Sequence, residues 1–267
     1  AASPWGRFSI IAAGPLFNFI LAFILALIIV SNAGIDKPVV KSVVEGYPAQ
    51  EAGLMPGDVV QKLDGKTITF YRDITLYLYM HPGKTMDVTV QRQEENGVRN
   101  LTFTLVPKMN QEYKQYMIGI QGGIRDNPQN LLETLQYALY EVRFNITSVL
   151  SSLAYLVSGR ASLNEFVGPV GIVGMIGETV KESKSYGIRV LLLNLANLML
   201  LFSANLGIMN LLPIPALDGG RLLFILPEAL FRRPLNRKIE GYIHLAGFAL
   251  LMLFMVFVLF NDIRRLF

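Results

Sequence analysis

Three long runs of apolar residues that contain no Asp, Glu, Lys or Arg are the feature that most limits how this chain folds. They cover residues 10–30, 190–217 and 242–260. Each is close to the ~20 residues that a helix needs to cross a bilayer. Hydrophobic residues make up 52% of the chain, which is high for a soluble protein. We therefore predict a multi-pass α-helical membrane protein with three transmembrane helices in this chain.

The first apolar run has one alternative interpretation, a cleaved signal peptide, because Arg7 precedes it and small residues follow it at 31–34. The run is longer than the apolar core of about 7–15 residues in a signal peptide. This length favours a transmembrane helix. Cysteine is absent from the sequence, which excludes disulfides and thiolate metal sites.

Basic residues predict the orientation of the helices. The segment 219–241 has more basic than acidic side chains, and residues 36–126 are balanced in charge, which gives no indication of nucleic-acid binding. By the positive-inside rule, residues 221–241 are cytoplasmic and the region between the first two apolar runs is extracytoplasmic. Arg7 agrees with this topology, whereas the basic pair near the C-terminus does not. The basic residues of the segment are Arg221, Arg232, Arg233, Arg237 and Lys238.

Residues 36–126 have a different pattern, with short β-rich runs separated by turns such as Asp64-Gly65 and a short helix predicted at 72–80. The stretch 47–58 has a small-residue helical turn, a Gly-Leu step and a Gly-Asp turn. It resembles the signature of bacterial PDZ domains, which implies a β-rich domain that binds extended peptides by strand addition. An unrelated β-sandwich with ordinary turns is the alternative.

Between this domain and the second apolar run, residues 127–157 lack helix breakers and predict an amphipathic helix that begins at Asn127-Pro128. Its apolar stripe faces either a protein core or a membrane surface, and core packing is favoured. The Gly-rich segment 168–174 is too broken to span a bilayer and too apolar for an exposed loop. It predicts a re-entrant or interfacial loop. The stripe comprises Leu131, Leu135, Leu139, Val142, Ile146, Val149, Leu153 and Leu156.

Asp218 directly follows the second apolar run, after Pro213 and Pro215, which should end the helix there. Irregular backbone at membrane depth must line protein or a polar cavity, and a carboxylate there is costly unless it is paired. Asp218 is therefore a candidate ligand for a cation. The alternatives are an interfacial helix cap or a pair with Arg221.

The string Asn210-Leu211-Leu212-Pro213-Ile214-Pro215-Ala216-Leu217-Asp218-Gly219 resembles the N-x-x-P-x-P-x-L-D-G motif of the site-2 protease family. The resemblance extends to residues 14–18 (GPLFN), 168–171 (GPVG) and 260–262 (FND), and its nearest branch is the bacterial RseP-like group with one PDZ domain. The resemblance implies that Asp218 is the third ligand of an intramembrane Zn²⁺. It also implies that Asn210, Pro213 and Pro215 shape the substrate-binding cleft.

The family's other two zinc ligands and its general base belong to an H-E-x-x-H helix, and that motif is absent from this sequence. His81 lies in a turn of the β-rich region and is interpreted as a surface histidine. His244 stands alone in the third apolar run, where a membrane-interface position is favoured over metal ligation. We expect a fourth, N-terminal helix to be missing from this chain, which then contains no catalytic residues of its own.

The hypothesis is an intramembrane zinc metalloendopeptidase of the bacterial inner membrane. Its substrates would be single-span membrane proteins, such as anti-sigma-factor-like regulators, or remnant signal peptides, with peptide termini at the PDZ domain. A non-catalytic PDZ-containing membrane adaptor is the alternative, and a transporter is a weaker third, because no inverted repeat is visible. The predicted segments are a transmembrane helix (1–35), a PDZ domain with an exit strand (36–126), an amphipathic helix with the Gly-rich loop (127–189), the motif-bearing transmembrane helix (190–220), a cytoplasmic loop (221–241) and a last transmembrane helix with its tail (242–267).

Overall fold

The computed structural model describes residues 3–95, 97–159, 167–231 and 237–266. The chain forms two compact units. One comprises Ala1–Ile29 with Glu141–Phe267 and is helical, and the other is Val30–Tyr140 and carries the β-strands. We call them the helical unit and the β unit. The β unit begins before, and ends after, the predicted domain at 36–126.

Eight helices follow one another along the described ranges of the chain. Six of them belong wholly or mainly to the helical unit. The ten-residue α3 and the four-residue α2 lie in the β unit. They are α1 (Pro4–Ala33), α2 (Pro48–Glu51), α3 (Tyr71–Met80), α4 (Leu131–Val157), α5 (Pro169–Lys184), α6 (Ile188–Leu211), α7 (Asp218–Phe231) and α8 (Arg237–Leu266).

Three of these helices have the length and hydropathy of membrane spans: Trp5–Ala33, Ile188–Leu211 and Lys238–Arg264. They are the three helices that the apolar runs predict. In α8 the hydrophobic side chains stay largely exposed, for example Leu253 and Phe260. Such a surface is stable when lipid is its solvent.

The connections between the spans differ from the prediction. The Gly-rich segment 168–174 is not a loop, because α5 is helical from Pro169, a residue type favoured in the first helical turn. The segment 221–241 is not a simple loop either, because α7 occupies it as far as Phe231. Residues 160–166 and 232–236, on which parts of these predictions fall, lie outside the described residues.

Helix α4 begins later than predicted, at Leu131 rather than at Asn127. The Asn130 side chain accepts a hydrogen bond from the Glu133 N–H (2.8 Å), and the Glu133 carboxylate accepts one from the Gln129 N–H (2.6 Å). The arrangement is similar to a capping box, except that the Glu133 carboxylate binds the N–H of Gln129, one residue before Asn130. The prediction of a core-facing leucine stripe is also wrong at its start, because Leu131 is 74% exposed while the buried positions are Thr134, Ala138, Glu141 and Asn145.

The described residues of the β unit contain ten strands, two to nine residues long. The four-stranded sheet has the order β4-β3-β5-β6, and three two-stranded antiparallel pairs, β1·β10, β2·β9 and β7·β8, accompany it. The strands are β1 (Ile35–Lys37), β2 (Ser42–Val43), β3 (Val59–Leu63), β4 (Lys66–Thr67), β5 (Met86–Glu94), β6 (Gly97–Leu105), β7 (Lys108–Asn110), β8 (Gln115–Met117), β9 (Ile120–Gln121) and β10 (Ile124–Asp126).

The core of the β unit follows from the alternation of apolar residues. Met86, Val88 and Val90 of β5 point inward with almost no exposed surface, as the two-residue period of a strand requires. Ile74 of α3 packs into the same core. The predicted short helix is confirmed, since α3 runs from Tyr71 to Met80.

Candidate functional site

Helix α6 ends at Leu211, just before the two prolines of the motif at 210–219. Leu212 is extended, with ψ 142°, as expected for a residue that precedes a proline. Pro213 and Pro215 each lack the N–H that would continue the helix. Residues 212–217 are therefore non-helical. The predicted unwinding occurs, and Leu211 is the last helical residue.

Asp218 is the first residue of α7 and is half-buried. A Cβ on Gly14 of α1 would lie 3.4 Å from its Oδ2 atom, so the carboxylate faces α1 at the Gly14-Pro15 step. Within the described ranges, no hydrogen bond or ion pair engages this carboxylate, and the alternative of a pair with Arg221 is not realised. The N-terminal end of α7 stabilises a negative charge at this position.

Gly219 and Gly220 let α7 start directly against the end of α6. A Cβ at Gly219 would overlap the carbonyl of Leu211, with contacts of 2.5 Å to its carbon and oxygen. A Cβ at Gly220 would overlap the carbonyl oxygen of Ile214. These obstacles are backbone atoms, which cannot rotate away as a side chain does. The two glycines after Asp218 are therefore required for the close approach.

Helix α8 contacts the same connection from another direction. The His244 Nδ1 atom accepts a hydrogen bond of 3.0 Å from the N–H of Ala216. One turn further along α8, Gly247 lies so close to Pro215 that a Cβ there would be 2.5 Å from the proline Cβ. The predicted membrane-interface role of His244 misses this contact, because a lone histidine carries no local signal of its partner.

The other motif residues surround the same break. Asn210 is half-buried in the last turn of α6, and Pro213 is exposed. Nearby, α6 packs on α1: the Ser203 hydroxyl donates to the carbonyl of Asn18 at 2.7 Å, and Gly207 lies against the Phe19 ring. The predicted site residues Asn210, Pro213, Pro215 and Asp218 thus lie on one connection beside α1.

These residues do not by themselves form a zinc site. Over the ranges that the structure describes, no three His, Cys, Asp or Glu side chains are grouped as metal ligands. Catalytic zinc has three protein ligands and one open position. Asp218 supplies one ligand oxygen of a suitable type, and further ligands are needed to complete the site.

A second carboxylate in the helical unit joins two of the other stretches of the family resemblance, 168–171 and 260–262. Asp262 of α8 is 4% exposed. Its Oδ1 accepts from the Gly168 N–H (3.1 Å), and its Oδ2 accepts from the Gly171 N–H (3.0 Å). The carboxylate therefore caps the N-terminus of α5 and stabilises its first turn, which lies in the Gly-rich segment.

Arg7 of α1 forms an ion pair of 2.7 Å with Glu228 of α7. Both side chains are partly exposed. The N-terminal end of α1 and helix α7 therefore lie on the same side of the helical unit.

In the β unit, the Asp58 of the predicted Gly-Asp turn is 1% exposed. Arg92 of β5 pairs with it through both carboxylate oxygens, at 2.7 and 2.8 Å, and also donates to the Gly53 carbonyl at 2.8 Å. The hydrogen bonds to Asp58 raise the pKa of Arg92. Sequence analysis identified the turn but not Arg92, which is 34 residues away.

The second predicted turn, Asp64-Gly65, has positive φ at both positions (45° and 78°), as in the tight turns of β-hairpins. The Tyr77 hydroxyl donates to Asp64 at 2.6 Å. Burial and this hydrogen bond raise the pKa of Tyr77 to about 12. His81 stacks on Tyr77, with ring centroids 4.3 Å apart, and is half-buried at the end of α3 rather than a freely exposed surface histidine.

Comparison with known families matches residues 1–254 of the chain to "Peptidase family M50". The match covers nearly the whole sequence, including the break at Asp218. The chain belongs to peptidase family M50, the site-2 protease family, as the motif resemblance predicted.

Curated relatives support the same assignment. "Zinc metalloprotease RasP" of Bacillus licheniformis is 35% identical over 265 residues, which is 98% of this chain and 60% of that protein. "Regulator of sigma-W protease RasP" of Bacillus subtilis has the same identity and coverage. A "Putative zinc metalloprotease" of Staphylococcus aureus is 35% identical and covers 99% of this chain. The chain thus spans about 60% of the length of these relatives.

Among solved structures, the PDZ domain of an SdrC-like protein from Listeria innocua aligns with 34% of this chain and 99% of its own length, at 23% identity and a TM-score of 0.27. The corresponding domain from Listeria monocytogenes aligns with 33% of this chain, at 20% identity and the same TM-score. These likenesses are too slight to establish the fold of the β unit.

Proposed function

We propose that this chain is part of an intramembrane zinc metalloendopeptidase that cleaves transmembrane segments. The substrates are single-span membrane proteins, either anti-sigma-factor-like regulators or remnant signal peptides. The proposal rests on the family assignment and on the names of relatives that span a longer sequence than this one.

One observation carries the proposal. The half-buried Asp218 carboxylate stands just after the helix break that ends Ile188–Leu211, a segment apolar enough to span a membrane, and it has no ion-pair partner within the described residues. A carboxylate near hydrocarbon is costly unless a cation compensates it. The glycines that surround it, Gly14, Gly219 and Gly220, leave no side chain of their own beside it. A metal ion meets this need for a positive charge.

We propose Asp218 as one ligand of Zn²⁺ and two histidines of an H-E-x-x-H helix as the others. The 267 residues contain no such motif. In this proposal these two histidines therefore come from outside the given sequence. When bound, zinc supplies hydroxide at neutral pH by lowering the pKa of its water. The role of Asp218 is to hold the ion at the break. Asn210, from the last turn of α6, would donate through its amide to the extended substrate backbone, and Pro213 and Pro215 keep the cleft from becoming helical.

We further propose that the β unit is an extracytoplasmic PDZ domain and that residues 221–241 face the cytoplasm of a bacterial cell, in its inner membrane. The Arg7–Glu228 ion pair supports the part of this topology that puts the start of α1 and helix α7 on one side. The PDZ domain would bind peptide termini and restrict access by large substrates.

The test is metal content and cleavage by the protein expressed from its complete gene. The wild type and the Glu178→Gln variant, which changes an exposed carboxylate of α5, should retain zinc and cleave a single-span substrate in detergent. Asp218→Asn should lose both properties, because an amide oxygen is a weaker zinc ligand. Equal zinc content in the Asp218→Asn variant and the wild type would contradict the proposal.

A second candidate function is a non-catalytic membrane adaptor that holds peptides at the β unit. It is favoured by the lack of H-E-x-x-H in the sequence and of a three-ligand cluster among the described residues. The genomic sequence upstream of Ala1 separates the two functions. An in-frame H-E-x-x-H helix excludes the adaptor, and a stop codon without it excludes the protease.

A further inference from the structure

We propose that His244 is a positioning residue for Asp218, an inference that rests on the proposed role of Asp218 as a metal ligand. His244 does not contact the metal in this proposal. It holds the backbone at Ala216, two residues before Asp218, and so fixes the direction in which the carboxylate leaves the connection.

The contact determines the chemical state of the imidazole. A backbone N–H is only a donor, so the Nδ1 atom that lies 3.0 Å from the Ala216 nitrogen must be unprotonated and accept. His244 is therefore held as the tautomer with its proton on Nε2. A lysine or arginine at this position offers no acceptor and would not replace it.

The residue it holds has an unfavourable backbone conformation. Ala216 has φ +82°, in the left-handed region that costs a non-glycine residue roughly 1–2 kcal/mol. Such a conformation persists only where the surroundings impose it. The hydrogen bond from the Ala216 N–H to His244 is one of the contacts that hold the chain in this conformation.

Three further contacts keep the imidazole and the connection together. Gly247, one turn along α8, lies against Pro215, where a Cβ would be 2.7 Å from the proline carbonyl oxygen. The Phe224 ring of α7 meets the His244 ring edge-on, with centroids 5.8 Å apart. Gly220 of α7 lies against Ile214. The connection is thus fixed by α7 on one side and by α8 on the other.

The environment of the second ring nitrogen, Nε2, indicates that His244 has a role other than packing. Its Nε2 atom is buried and has no hydrogen-bond partner within the described part of the chain. Leaving a buried donor unpaired costs about 1–3 kcal/mol. An apolar side chain would avoid this cost, but it would lose the acceptor for Ala216. The acceptor at Nδ1 is therefore the property for which this position needs histidine.

Two substitutions separate the acceptor from the shape of the side chain. In His244→Asn, the amide oxygen falls near the position of Nδ1 and keeps the acceptor, whereas in His244→Gln the amide is displaced to the position of Nε2. His81→Gln, in the β unit, is the matched control. The experiment uses the protein expressed from its complete gene and measures zinc affinity by competition with a chelator, together with the NMR resonance of the Ala216 amide.

Zinc binding by His244→Gln should weaken by about 10-fold to 100-fold, the usual loss when a group that orients a metal ligand is removed. His244→Asn should bind close to the wild type, and the Ala216 resonance should move in His244→Gln only. Equal zinc affinity in His244→Gln and the wild type would overturn the positioning role and leave the proposed function standing. A wild type that holds no zinc would overturn the proposed function, and the Ala216 resonance alone would then decide whether the hydrogen bond exists.

Discussion

The carboxylate of Asp262, near the end of α8, accepts the backbone N–H of Gly168, which lies 94 residues earlier, just before α5. The glycine is needed there, because a Cβ would lie 2.6 Å from Asp262 Oδ2 and from Val258 Cγ1. With Gly171 as a second donor, the carboxylate satisfies two of the N–H groups that every helix leaves unpaired at its start. Two short stretches of the family resemblance are therefore one structural element.

Removal of this cap should expose the first turn of α5. We expect Asp262→Ala to destabilise the helical unit by about 1–2 kcal/mol, the upper range for loss of a helix cap. Hydrogen exchange of the amides of Gly168 and residues 170–172 should become faster. Asp262→Asn keeps one acceptor oxygen, and its stability and exchange rates should lie between those of the wild type and Asp262→Ala. Identical exchange in the wild type and Asp262→Ala would contradict the capping role.

The glycine after Asp218 gives a second prediction. Gly219→Ala should destabilise the helical unit by about 1–3 kcal/mol, as overpacking against atoms that cannot move does, because the new methyl group meets the Leu211 backbone. Gly241→Ala is the control. No atom lies within 4 Å of a Cβ there, and alanine should improve helix propensity by up to about 1 kcal/mol. Thermal unfolding in detergent compares the two, and similar midpoints for both variants would refute the steric argument.

A double-mutant cycle tests the buried ion pair of the β unit. We expect Asp58→Ala to destabilise the protein by about 3–5 kcal/mol, since it leaves the Arg92 charge without its partner in a largely buried place. Arg92→Leu combined with Asp58→Ala should cost less than the sum of the single changes. Lys84→Met removes an exposed pair with Asp64 at 3.5 Å and should change stability by less than about 1 kcal/mol. Additive single effects would show that the two charges are not coupled.

The Tyr77–Asp64 hydrogen bond predicts how stability depends on pH at both extremes. The folded pKa of Tyr77, about 12, lies above its usual value of 10.0. Burial is the largest cause of this rise, and the hydrogen bond to Asp64 is the next. The contribution of this group to stability is therefore fully present below pH 10 and is lost as pH rises through about 12.

The hydrogen bond from Tyr77, followed by the one from the Asp87 N–H, lowers the pKa of Asp64 below its usual 3.8. Its contribution is present above pH 3.8 and is lost as pH falls through the lower folded value. Tyr77→Phe should flatten the pH dependence of the unfolding free energy on the alkaline limb and reduce it on the acid limb. Tyr113→Phe, which changes a tyrosine that is 60% exposed, should leave both limbs as in the wild type. Superimposable profiles for Tyr77→Phe and the wild type would refute this coupling.

The confirmed predictions depend on patterns of residues that are close together in the sequence. Each of these structures depends on residues that are neighbours in the chain. The examples are a helix of about 20 uncharged residues, a pair of prolines that have no backbone N–H to donate, and an Asp-Gly turn. Hence the three membrane helices, the end of α6 before Pro213, the Asp64-Gly65 turn and α3 were all predictable, and the motif around Asp218 identified the family.

The errors have a common cause. The Gly-rich segment is predicted as a loop because its glycines disfavour a helix locally, whereas the cap from Asp262 stabilises the first turn of a helix there. The leucine stripe of α4 was predicted to face the core from its spacing alone, but Leu131 and Leu139 are exposed and Ala138 is buried. Spacing defines a face of a helix and not what covers it.

The sequence by itself determined the three segments that are long and apolar enough to span a membrane, the family, and Asp218 as the candidate site residue. Each of these depends on composition or on residues that are adjacent in the chain. Only the tertiary structure decided that Ala216 is held by His244, that Asp262 caps α5, and that Arg92 neutralises Asp58. Each of these pairs joins residues 28 or more positions apart. A single polar side chain in an apolar helix has the same local sequence signal whatever its partner, so the partner is defined only when the helices and strands pack.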